Sequence, residues 1–270
     1  MQELDYTTRY GMEFNPFLKN SKEILLPTKS YKEARFRLDR LADTKGFGLL
    51  TGAPGLGKTT AVRTWSHDLN PSLYKVIYNS LSTLTITEFY RRFAMSLGLE
   101  PSFYKTANFD MIQAEINRLT IEKRQTPVFI IDEANHIRGD ALSELKMLFN
   151  FEMDSKDRAV VLLVGLPQLN QVLNRGVHET FRQRLIMNYD MIGLTKEESR
   201  DYIRTKLRGA GCRQDVFEEN AVEAILNTAN GTPRLLNKYC NACLLHGNSM
   251  GINRITADIA LQAMNDCELG

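Results

Sequence analysis

The sequence of 270 residues predicts an α/β protein in which a parallel β-sheet is covered by helices on both faces, followed by a small all-helical domain. Two observations lead to this prediction. As far as about residue 193, short apolar runs alternate with amphipathic segments, which is typical of strands joined by helical crossovers. From Leu194 onward no strand-like run remains, and only capped amphipathic segments follow.

The strongest local pattern lies at residues 52–59, which fit the phosphate-binding P-loop G-x-x-x-x-G-K-[ST]. An apolar run at residues 47–51 precedes it and a segment free of Gly and Pro follows it, as strand, loop and helix require. Backbone N–H groups of the loop and the helix N-terminus are predicted to hold the phosphates of ATP. The predicted contacts in this stretch are Gly52, Ala53, Pro54, Gly55, Leu56, Gly57, Lys58, Thr59 and Thr60.

Two residues of the loop have predicted chemical roles. The ammonium group of Lys58 is expected to reach the β- and γ-phosphates, and the hydroxyl of Thr59 is expected to bind Mg²⁺. A second motif, Asp132-Glu133, directly follows the apolar run at residues 127–131. Because a buried parallel strand ends at the edge of the sheet beside the P-loop, Asp132 is predicted to help hold Mg²⁺. Glu133 is then the candidate for orienting and activating the attacking water.

The composition is that of an ordinary globular chain. Hydrophobic residues make up 43% of the sequence and the formal net charge is +2, which does not indicate nucleic-acid binding but is compatible with a local basic groove. No apolar run reaches the length of a membrane span, and residues 1–5 lack the features of a signal peptide. We therefore expect a cytoplasmic protein with no membrane segment.

Cysteine and histidine spacing gives no further metal site. Cys240 and Cys243 form a single C-x-x-C in a segment that looks helical, so reduced thiols on a packed helix are favoured over metal or redox chemistry. The four histidines show no ligand spacing. Mg²⁺ is the only predicted metal.

Further elements follow in order along the chain. A helix with a capping box at Ser30 and Glu33 is predicted to run to about Gly46, and a second helix starts at the capping box of Thr85 and Glu88. A polar loop over residues 100–108 and a helix over residues 109–123 come next. The remaining strands are expected at residues 74–79, 127–133, 159–165 and 186–192.

Two arginines, Arg182 and Arg184, lie at the end of a short predicted helix before the last strand. Two interpretations of them stay open at the level of the residues alone. They are either ordinary surface charges or, in an oligomeric ATPase, a group that reaches the γ-phosphate bound by a neighbouring subunit.

The predicted domains are an N-terminal arm packed on the ATPase core (1–29), an α/β nucleotide-binding domain (30–193) and a helical lid (194–270). The lid begins with a capping box at Thr195 and Glu198. Its later helices are predicted at residues 216–229, from Gly231-Thr232-Pro233-Arg234 onward, and at residues 256–267.

Taken together, these motifs resemble the AAA+ ATPases, and more narrowly the ExeA-like/TniB-like group, which includes relatives of the transposition helpers TnsC and IstB. The resemblance covers nearly the whole chain. Besides the P-loop and Asp132-Glu133, its marks are the segments at residues 10–17, 46–52, 164–169, 182–184 and 231–237. The segment Asn15-Pro16-Phe17 and the Gly-Leu-Pro-Gln segment at residues 165–168 indicate the narrower group.

The resemblance implies a P-loop NTPase (AAA+) fold of three αβα layers with five parallel strands in the order 5-1-4-3-2 and a four-helix lid. It also implies a homo-oligomeric ring or helical filament with ATP bound between subunits. Arg184 best matches the arginine finger, with Arg182 as the alternate, and Arg234 matches the sensor 2 arginine that contacts the nucleotide. The usual polar sensor 1 residue is replaced by Gly165-Leu166-Pro167, so that role is vacant or falls to Gln168, which fits slow or partner-stimulated hydrolysis.

The function implied first is that of a helper in DNA transposition and recombination, which assembles on duplex DNA with ATP, recruits a transposase and disassembles on hydrolysis. By analogy with such helpers, Lys105 and Thr106 are candidate DNA contacts, the alternative being a solvated loop. The end of the sequence after the lid and the lack of a membrane segment favour this role over an ExeA-like secretion ATPase. A helicase or clamp-loader-like motor and a signalling switch without DNA binding are further alternatives.

Overall fold

The computed structural model describes residues 6–80 and 85–268. These described residues form two compact units, one within residues 31–54 and 58–191 (the sheet unit) and one within residues 1–30, 55–57 and 192–270 (the helical unit). The five strands are β1 (Gly46–Gly52), β2 (Tyr74–Ser80), β3 (Thr126–Asp132), β4 (Val160–Val164) and β5 (Leu185–Met191).

The helices of the sheet unit are α2 (Lys29–Thr44), which begins two residues before it, α3 (Lys58–Asp68), α4 (Ile86–Leu97), α5 (Lys105–Asn117), α6 (Gly139–Leu148), α7 (Gln168–Leu173) and α8 (Glu179–Arg182). The helices of the helical unit are α1 (Tyr6–Arg9), α9 (Lys196–Gly209), α10 (Glu219–Ala229), α11 (Pro233–Ser249) and α12 (Ala257–Glu268). In the described part of the chain, no helix is both long enough and apolar enough to cross a membrane.

The sheet has the strand order β2-β3-β4-β1-β5, and its strands are parallel. This order is the predicted 5-1-4-3-2 read from the other edge, so the predicted fold is confirmed. Strands β1 and β4 are buried along their whole length, as expected when both faces of a parallel sheet are covered.

Each face of the sheet has its own apolar core because successive side chains of a strand point to opposite faces. On β3, Phe129 and Ile131 join one core, whereas Val128 and Ile130 join the other. The first core contains the ring cluster of Phe93, Phe129 and Phe149, and the second contains Trp65. The alternation gives the three-layer arrangement that the sequence predicts.

Local capping signals place two helices as predicted. Helix α4 begins after Thr85, whose side chain and that of Glu88 form the reciprocal hydrogen bonds of a capping box. The same arrangement of Thr195 and Glu198 starts α9. The predicted capping box at Ser30 is wrong, because α2 already begins at Lys29 and the Ser30 hydroxyl accepts a hydrogen bond from the Ile192 amide.

The predicted loop over residues 100–108 is wrong in its second half, because α5 begins at Lys105. Asn108 is fully buried inside this helix, and its side chain donates to the Ser102 carbonyl and accepts from the Ser102 amide. An asparagine that braces the preceding turn looks like a loop residue in the sequence. Beyond Asn117 the chain continues as a π-helical turn, Arg118–Glu122.

The helical unit has an apolar core formed by α9 to α12, and it includes both cysteines of the C-x-x-C. Cys240 and Cys243 are completely buried, and all four cysteines are free thiols. Burial raises the pKa of Cys243 to about 12 and raises that of Cys240 well above its usual value, which disfavours the reactive thiolate. Packed, reduced thiols are therefore what the structure shows, as predicted.

The described part of the N-terminal segment packs within the helical unit, which corrects the prediction that it packs on the ATPase core. Tyr10, Met12 and Phe17 belong to the core of the helical unit, and the Tyr10 hydroxyl donates to the Ile252 carbonyl at 3.0 Å. The Lys206 ammonium on α9 donates to the Pro16 carbonyl at 2.7 Å. These partners lie more than 180 residues away, so local pattern could not identify them.

Asn15 explains the Asn-Pro-Phe motif in physical terms. Its side-chain oxygen accepts the Phe17 amide at 2.9 Å, which closes a tight turn, and its side-chain nitrogen donates to the Asn241 oxygen at 2.7 Å on α11. Asn15 is itself 4% exposed, so these hydrogen bonds satisfy a buried amide. The motif therefore fixes the N-terminal segment against the helical unit.

We expect Tyr10→Ala to destabilise the helical unit by about 3 kcal/mol, because it leaves a cavity in a packed core and removes a buried hydrogen bond. Urea unfolding gives the total loss, and hydrogen exchange is expected to rise at residues 236–244 with little change at residues 128–131. The matched control is Tyr104→Ala, since Tyr104 is 74% exposed. Equal stability of the two variants would contradict this role of the N-terminal segment.

Candidate nucleotide-binding site

The P-loop joins the buried end of β1 to the first turn of α3. Gly55 and Gly57 have φ angles of 80° and 96°, which side chains other than glycine rarely adopt, so the loop requires glycine at these two positions. The other predicted contacts follow the loop: Gly52 ends β1, Ala53, Pro54 and Leu56 lie in the turn, and Thr59 and Thr60 lie in the first turn of α3.

The Lys58 ammonium is held at the base of this loop. It donates hydrogen bonds to the Gly52 carbonyl at 2.7 Å and to the Ala53 carbonyl at 3.0 Å. A positive charge is therefore fixed beside the N-terminus of α3, where backbone N–H groups and the helix dipole also favour an anion.

The structure brings Thr59 and Asp132 together, although they are 73 residues apart in the sequence. The Thr59 hydroxyl donates to Asp132 Oδ2 at 3.2 Å, and Asp132 Oδ1 accepts the Glu133 amide at 2.9 Å. Asp132 is only 7% exposed, and these hydrogen bonds hold its carboxylate at the end of β3. A hydroxyl and a carboxylate oxygen are hard donors of the kind that Mg²⁺ prefers.

A third group at this carboxylate was not predicted from the sequence. The Tyr78 hydroxyl, on β2, donates to the same Oδ2 atom of Asp132 at 3.0 Å. Although the residue is 56% exposed, partial desolvation, followed by the Asp132 charge, raises the pKa of Tyr78 to about 12. The sequence did offer a clue to this contact, because Tyr78 lies near the carboxyl end of the strand predicted at residues 74–79. The carboxyl ends of neighbouring parallel strands meet at one edge of the sheet.

Glu133 follows in a left-handed backbone conformation with a φ angle of 54°, and its side chain is exposed. Such a conformation costs a residue other than glycine about 1 kcal/mol or more. Strain of this kind is found more often at functional sites than elsewhere. The observation fits the predicted role of Glu133 toward water.

The structure gives a reason for the missing polar residue after β4. A Cβ atom at Gly165 would lie 3.0 Å from Asn135 Oδ1, and that oxygen accepts the Leu166 amide at 3.0 Å. The Asn135 side chain, from the loop after β3, thus occupies the space beside the end of β4. Gln168, the predicted substitute, is exposed at the start of α7.

One further polar connection reaches the end of β1. Asn170 on α7 donates to the Thr51 hydroxyl at 2.9 Å, and that hydroxyl donates to Asp190 Oδ1 at 2.7 Å. Thr51 is completely buried, one residue before the P-loop. Neither Asn135 nor Asn170 had a sequence signal, since a polar residue in a loop or short helix is ordinarily a surface residue.

The two candidate arginine fingers, Arg184 and its alternate Arg182, have different surroundings in the sheet unit. Arg184 donates to the Lys146 carbonyl at 2.9 Å and lies over the Phe47 ring at 5.4 Å from its centroid. Its guanidinium group therefore completes the C-terminal end of α6. Arg182 is exposed, and its hydrogen bond to Asn174 is 3.4 Å long.

Arg234 lies in the first turn of α11, within the helical unit. Its side chain is exposed, and its backbone amide donates to the Gly55 carbonyl at 3.3 Å. Gly55 belongs to the helical unit, as Arg234 does. A Cβ atom at Gly55 would lie 2.7 Å from the Arg234 Cβ atom, which is a second reason for glycine in the loop.

Lys105 does not have the surroundings of a free loop cation. Its ammonium lies 2.6 Å from Glu144 Oε1, and the other Glu144 oxygen accepts the Tyr90 hydroxyl at 2.7 Å. Thr106 is exposed next to it on α5. The pairing with Glu144 gives Lys105 a role within the sheet unit and weakens the prediction that it contacts DNA.

Large parts of this chain are similar in sequence to known proteins. Residues 40–173 match the sequence model of a family described as AAA domain. General secretion pathway protein A of Aeromonas hydrophila is 31% identical over an alignment 272 residues long, gaps included, and the alignment covers 96% of this chain and 48% of that protein. An uncharacterized HTH-type transcriptional regulator of Methanocaldococcus jannaschii is 25% identical over 143 residues, which cover 51% of this chain and 34% of that protein.

Solved structures share the fold at low identity. The Aeropyrum pernix ORC2 protein has a TM-score of 0.68 at 17% identity and covers 93% of this chain and 71% of its own. Drosophila ORC bound to DNA has a TM-score of 0.71 at 15% identity, with 97% and 66% covered. The Thermotoga maritima RuvB branch migration motor has a TM-score of 0.57 at 17% identity, with 94% and 73% covered.

The fold, the P-loop and the family match define the class: residues 40–173 match an AAA-type domain, and the chain has the fold of the AAA-type P-loop ATPases. Within that class it is similar to general secretion pathway protein A, of which it spans about half.

We expect Arg184→Ala to lower the free energy of unfolding by about 2 kcal/mol, because it removes hydrogen bonds to helix-terminal carbonyls and a cation–π contact. Arg182→Ala, the matched control two residues earlier in the chain, is expected to change it by less than about 0.5 kcal/mol. Urea unfolding of both variants tests this difference. If the exposed Arg182 proves the more important for stability, the assignment of the two side chains is wrong.

Proposed function

We propose that this protein is a Mg²⁺-dependent ATP hydrolase whose subunits share their active sites in a ring or helical filament. The observation that carries the proposal is the hydrogen bond between Thr59 and Asp132 beside the P-loop. It joins the two motifs that bind nucleotide and metal in P-loop ATPases at one edge of the sheet.

Each residue of the site has a proposed task. The P-loop amides and Lys58 bind the phosphates, and Thr59 with Asp132 holds Mg²⁺. Mg²⁺, when bound, supplies positive charge that stabilises the negative charge on the transferred phosphoryl group. Glu133 orients the attacking water and accepts its proton.

Two arginines complete the proposed chemistry. Arg182, exposed and weakly held, is proposed to act on the nucleotide of a neighbouring subunit, and Arg234 is proposed to contact nucleotide in the manner of a sensor 2 residue. An arginine supplied across an interface couples hydrolysis to assembly, because the site is incomplete in a single subunit. Hydrolysis is then slow until an oligomer forms.

For the cellular task, we propose first a cytoplasmic transposition helper that assembles with ATP on duplex DNA, recruits a transposase and leaves on hydrolysis. Its support is the resemblance of Asn15-Pro16-Phe17 and of the Gly-Leu-Pro-Gln segment at residues 165–168 to the ExeA-like/TniB-like group, which includes relatives of the transposition helpers. The DNA contacts are proposed to be phosphate contacts, which require no particular base sequence.

The second candidate function is an ATPase of a secretion pathway. Its support is the 31% identity with general secretion pathway protein A, which extends over 96% of this chain. Both functions use the same nucleotide site, so they differ in the partner and not in the chemistry.

A mixing experiment tests the shared site. Glu133→Gln and Arg182→Ala are each expected to bind ATP normally and to lose hydrolysis at least about a hundredfold. Mixed in equal amounts, they are expected to regain hydrolysis, because random pairing leaves about a quarter of the interfaces with both groups intact.

The control for the mixture is a double variant that carries Glu133→Gln and Arg182→Ala in one chain. It supplies neither group to a shared site, so adding it to either single variant is expected to restore no hydrolysis. If the two single variants form oligomers together and hydrolysis still does not return, the shared-site proposal is wrong.

Imaging by negative stain separates the two cellular tasks. The full chain with a non-hydrolysable ATP analogue is expected to form rings or filaments on duplex DNA, and Lys58→Ala is expected to form none. The amount assembled on DNA is expected to fall steeply with salt, since phosphate contacts release counterions. Assembly that ignores DNA would contradict the transposition proposal and favour the secretion pathway.

A further inference from the structure

The observation that leads beyond the proposed function is the position of Tyr78 at the edge of the sheet. Strands β2 and β3 pair in parallel register, with Tyr78 opposite Ile130 and Ser80 opposite Asp132. The Tyr78 side chain is on the outermost strand and the residue is 56% exposed, yet its hydroxyl reaches Asp132 Oδ2 at 3.0 Å. A tyrosine that only packs on the edge of a sheet does not need to direct its hydroxyl to a buried carboxylate, as Tyr78 does.

Counting hydrogen bonds shows what the Tyr78 hydroxyl does to this carboxylate. A carboxylate has about two acceptor positions on each oxygen. Both positions of Oδ2 are used, by Thr59 and Tyr78, and one position of Oδ1 is used by the Glu133 amide. One position remains, and it is on Oδ1.

The same count leaves the Thr59 oxygen able to act as a ligand. Its hydrogen is donated to Asp132, so its lone pairs stay available to a cation. Three donors therefore fix the Asp132 carboxylate: the Thr59 hydroxyl on α3, the Tyr78 hydroxyl on β2 and the Glu133 amide after β3. Asp132 Oδ1 and the Thr59 hydroxyl oxygen are left to bind a cation. Tyr78 supplies the donor that comes from outside the two nucleotide-binding motifs.

We propose that Tyr78 is a positioning residue that orients the Asp132 carboxylate for the Mg²⁺ that accompanies the nucleotide. The inference rests on the proposed function. Without the Tyr78 hydroxyl, Asp132 Oδ2 has a single donor and the carboxylate is freer to rotate. The affinity for Mg²⁺ is therefore expected to fall. Binding of the nucleotide itself is not affected, because Tyr78 has no contact with the P-loop backbone or Lys58 among its described hydrogen bonds.

The test is a titration of Mg²⁺ into the full chain with a fluorescent, non-hydrolysable ATP analogue. In Tyr78→Phe the concentration of Mg²⁺ at half saturation is expected to rise about tenfold, the size of effect seen when a ligand loses its hydrogen-bond partner. Affinity for the analogue in excess EDTA is expected to stay unchanged. Mn²⁺ binding followed by electron paramagnetic resonance gives the metal affinity directly.

The matched control is Tyr74→Phe, which removes the same hydroxyl from the same strand. Tyr74 lies opposite Thr126, at the other end of β2, and its hydroxyl has no hydrogen bond to the described residues. Its Mg²⁺ requirement is expected to equal that of the unchanged protein. Tyr78→Leu is expected to give the same shift as Tyr78→Phe, because the hydroxyl and not the ring is responsible.

The outcomes separate this inference from the proposed function. Thr59→Ala is expected to raise the Mg²⁺ requirement if Thr59 is a ligand. If it does so while Tyr78→Phe leaves the requirement unchanged or lowers it, the positioning role is overturned and the metal site stands. If the unchanged protein binds the analogue equally with and without Mg²⁺, the metal site is overturned and the inference falls with it.

Discussion

The hydrogen bond between the Thr59 hydroxyl and the Asp132 carboxylate is the interaction on which the candidate site depends. It forms only because β3 is a buried parallel strand that ends beside the P-loop, so a residue far along the chain meets the first turn of α3. A carboxylate that is 7% exposed is costly to bury without donors. The sheet thus both positions the charge and supplies the groups that hold it.

The N-terminal segment shows a second constraint, on the helical unit. The ring of Tyr10 and the side chain of Asn15 are buried against α9 to α12, although they come from the other end of the sequence. Buried amides are hydrogen-bonded in stable proteins, and here the partner is Asn241 on α11. A segment that looks like an irregular aromatic arm is consequently part of a core, and its removal is a change to that core.

What the sequence predicted well is what short-range chemistry decides. The P-loop needs glycine where its φ angles are positive, at Gly55 and Gly57. The capping boxes at Thr85 and Thr195 each join residues three apart in the sequence. Strands β1 and β4 follow from apolar runs whose two faces are both buried. The start of α5 was predicted too late for a local reason as well. The Asn108 side chain accepts a hydrogen bond from the Ser102 amide, and asparagines in loops make similar local hydrogen bonds.

What the sequence could not predict depends on contacts between distant residues. The Tyr78 hydroxyl and the Asn135 amide reach the site only through strand register and the path of a loop. Arg184 looked like the better partner-directed arginine, yet its guanidinium is bound to the end of α6. Two arginines separated by one residue in the sequence therefore have opposite surroundings.

That difference bears on how an oligomeric ATPase can use an arginine at all. A guanidinium group bound to helix carbonyls and an aromatic ring must give up those contacts before it can reach a phosphate in another subunit. Arg182 gives up one long hydrogen bond to Asn174. Fewer contacts are therefore lost if Arg182 is the arginine that reaches a neighbouring subunit, as proposed, whereas Arg184 is bound to the end of α6.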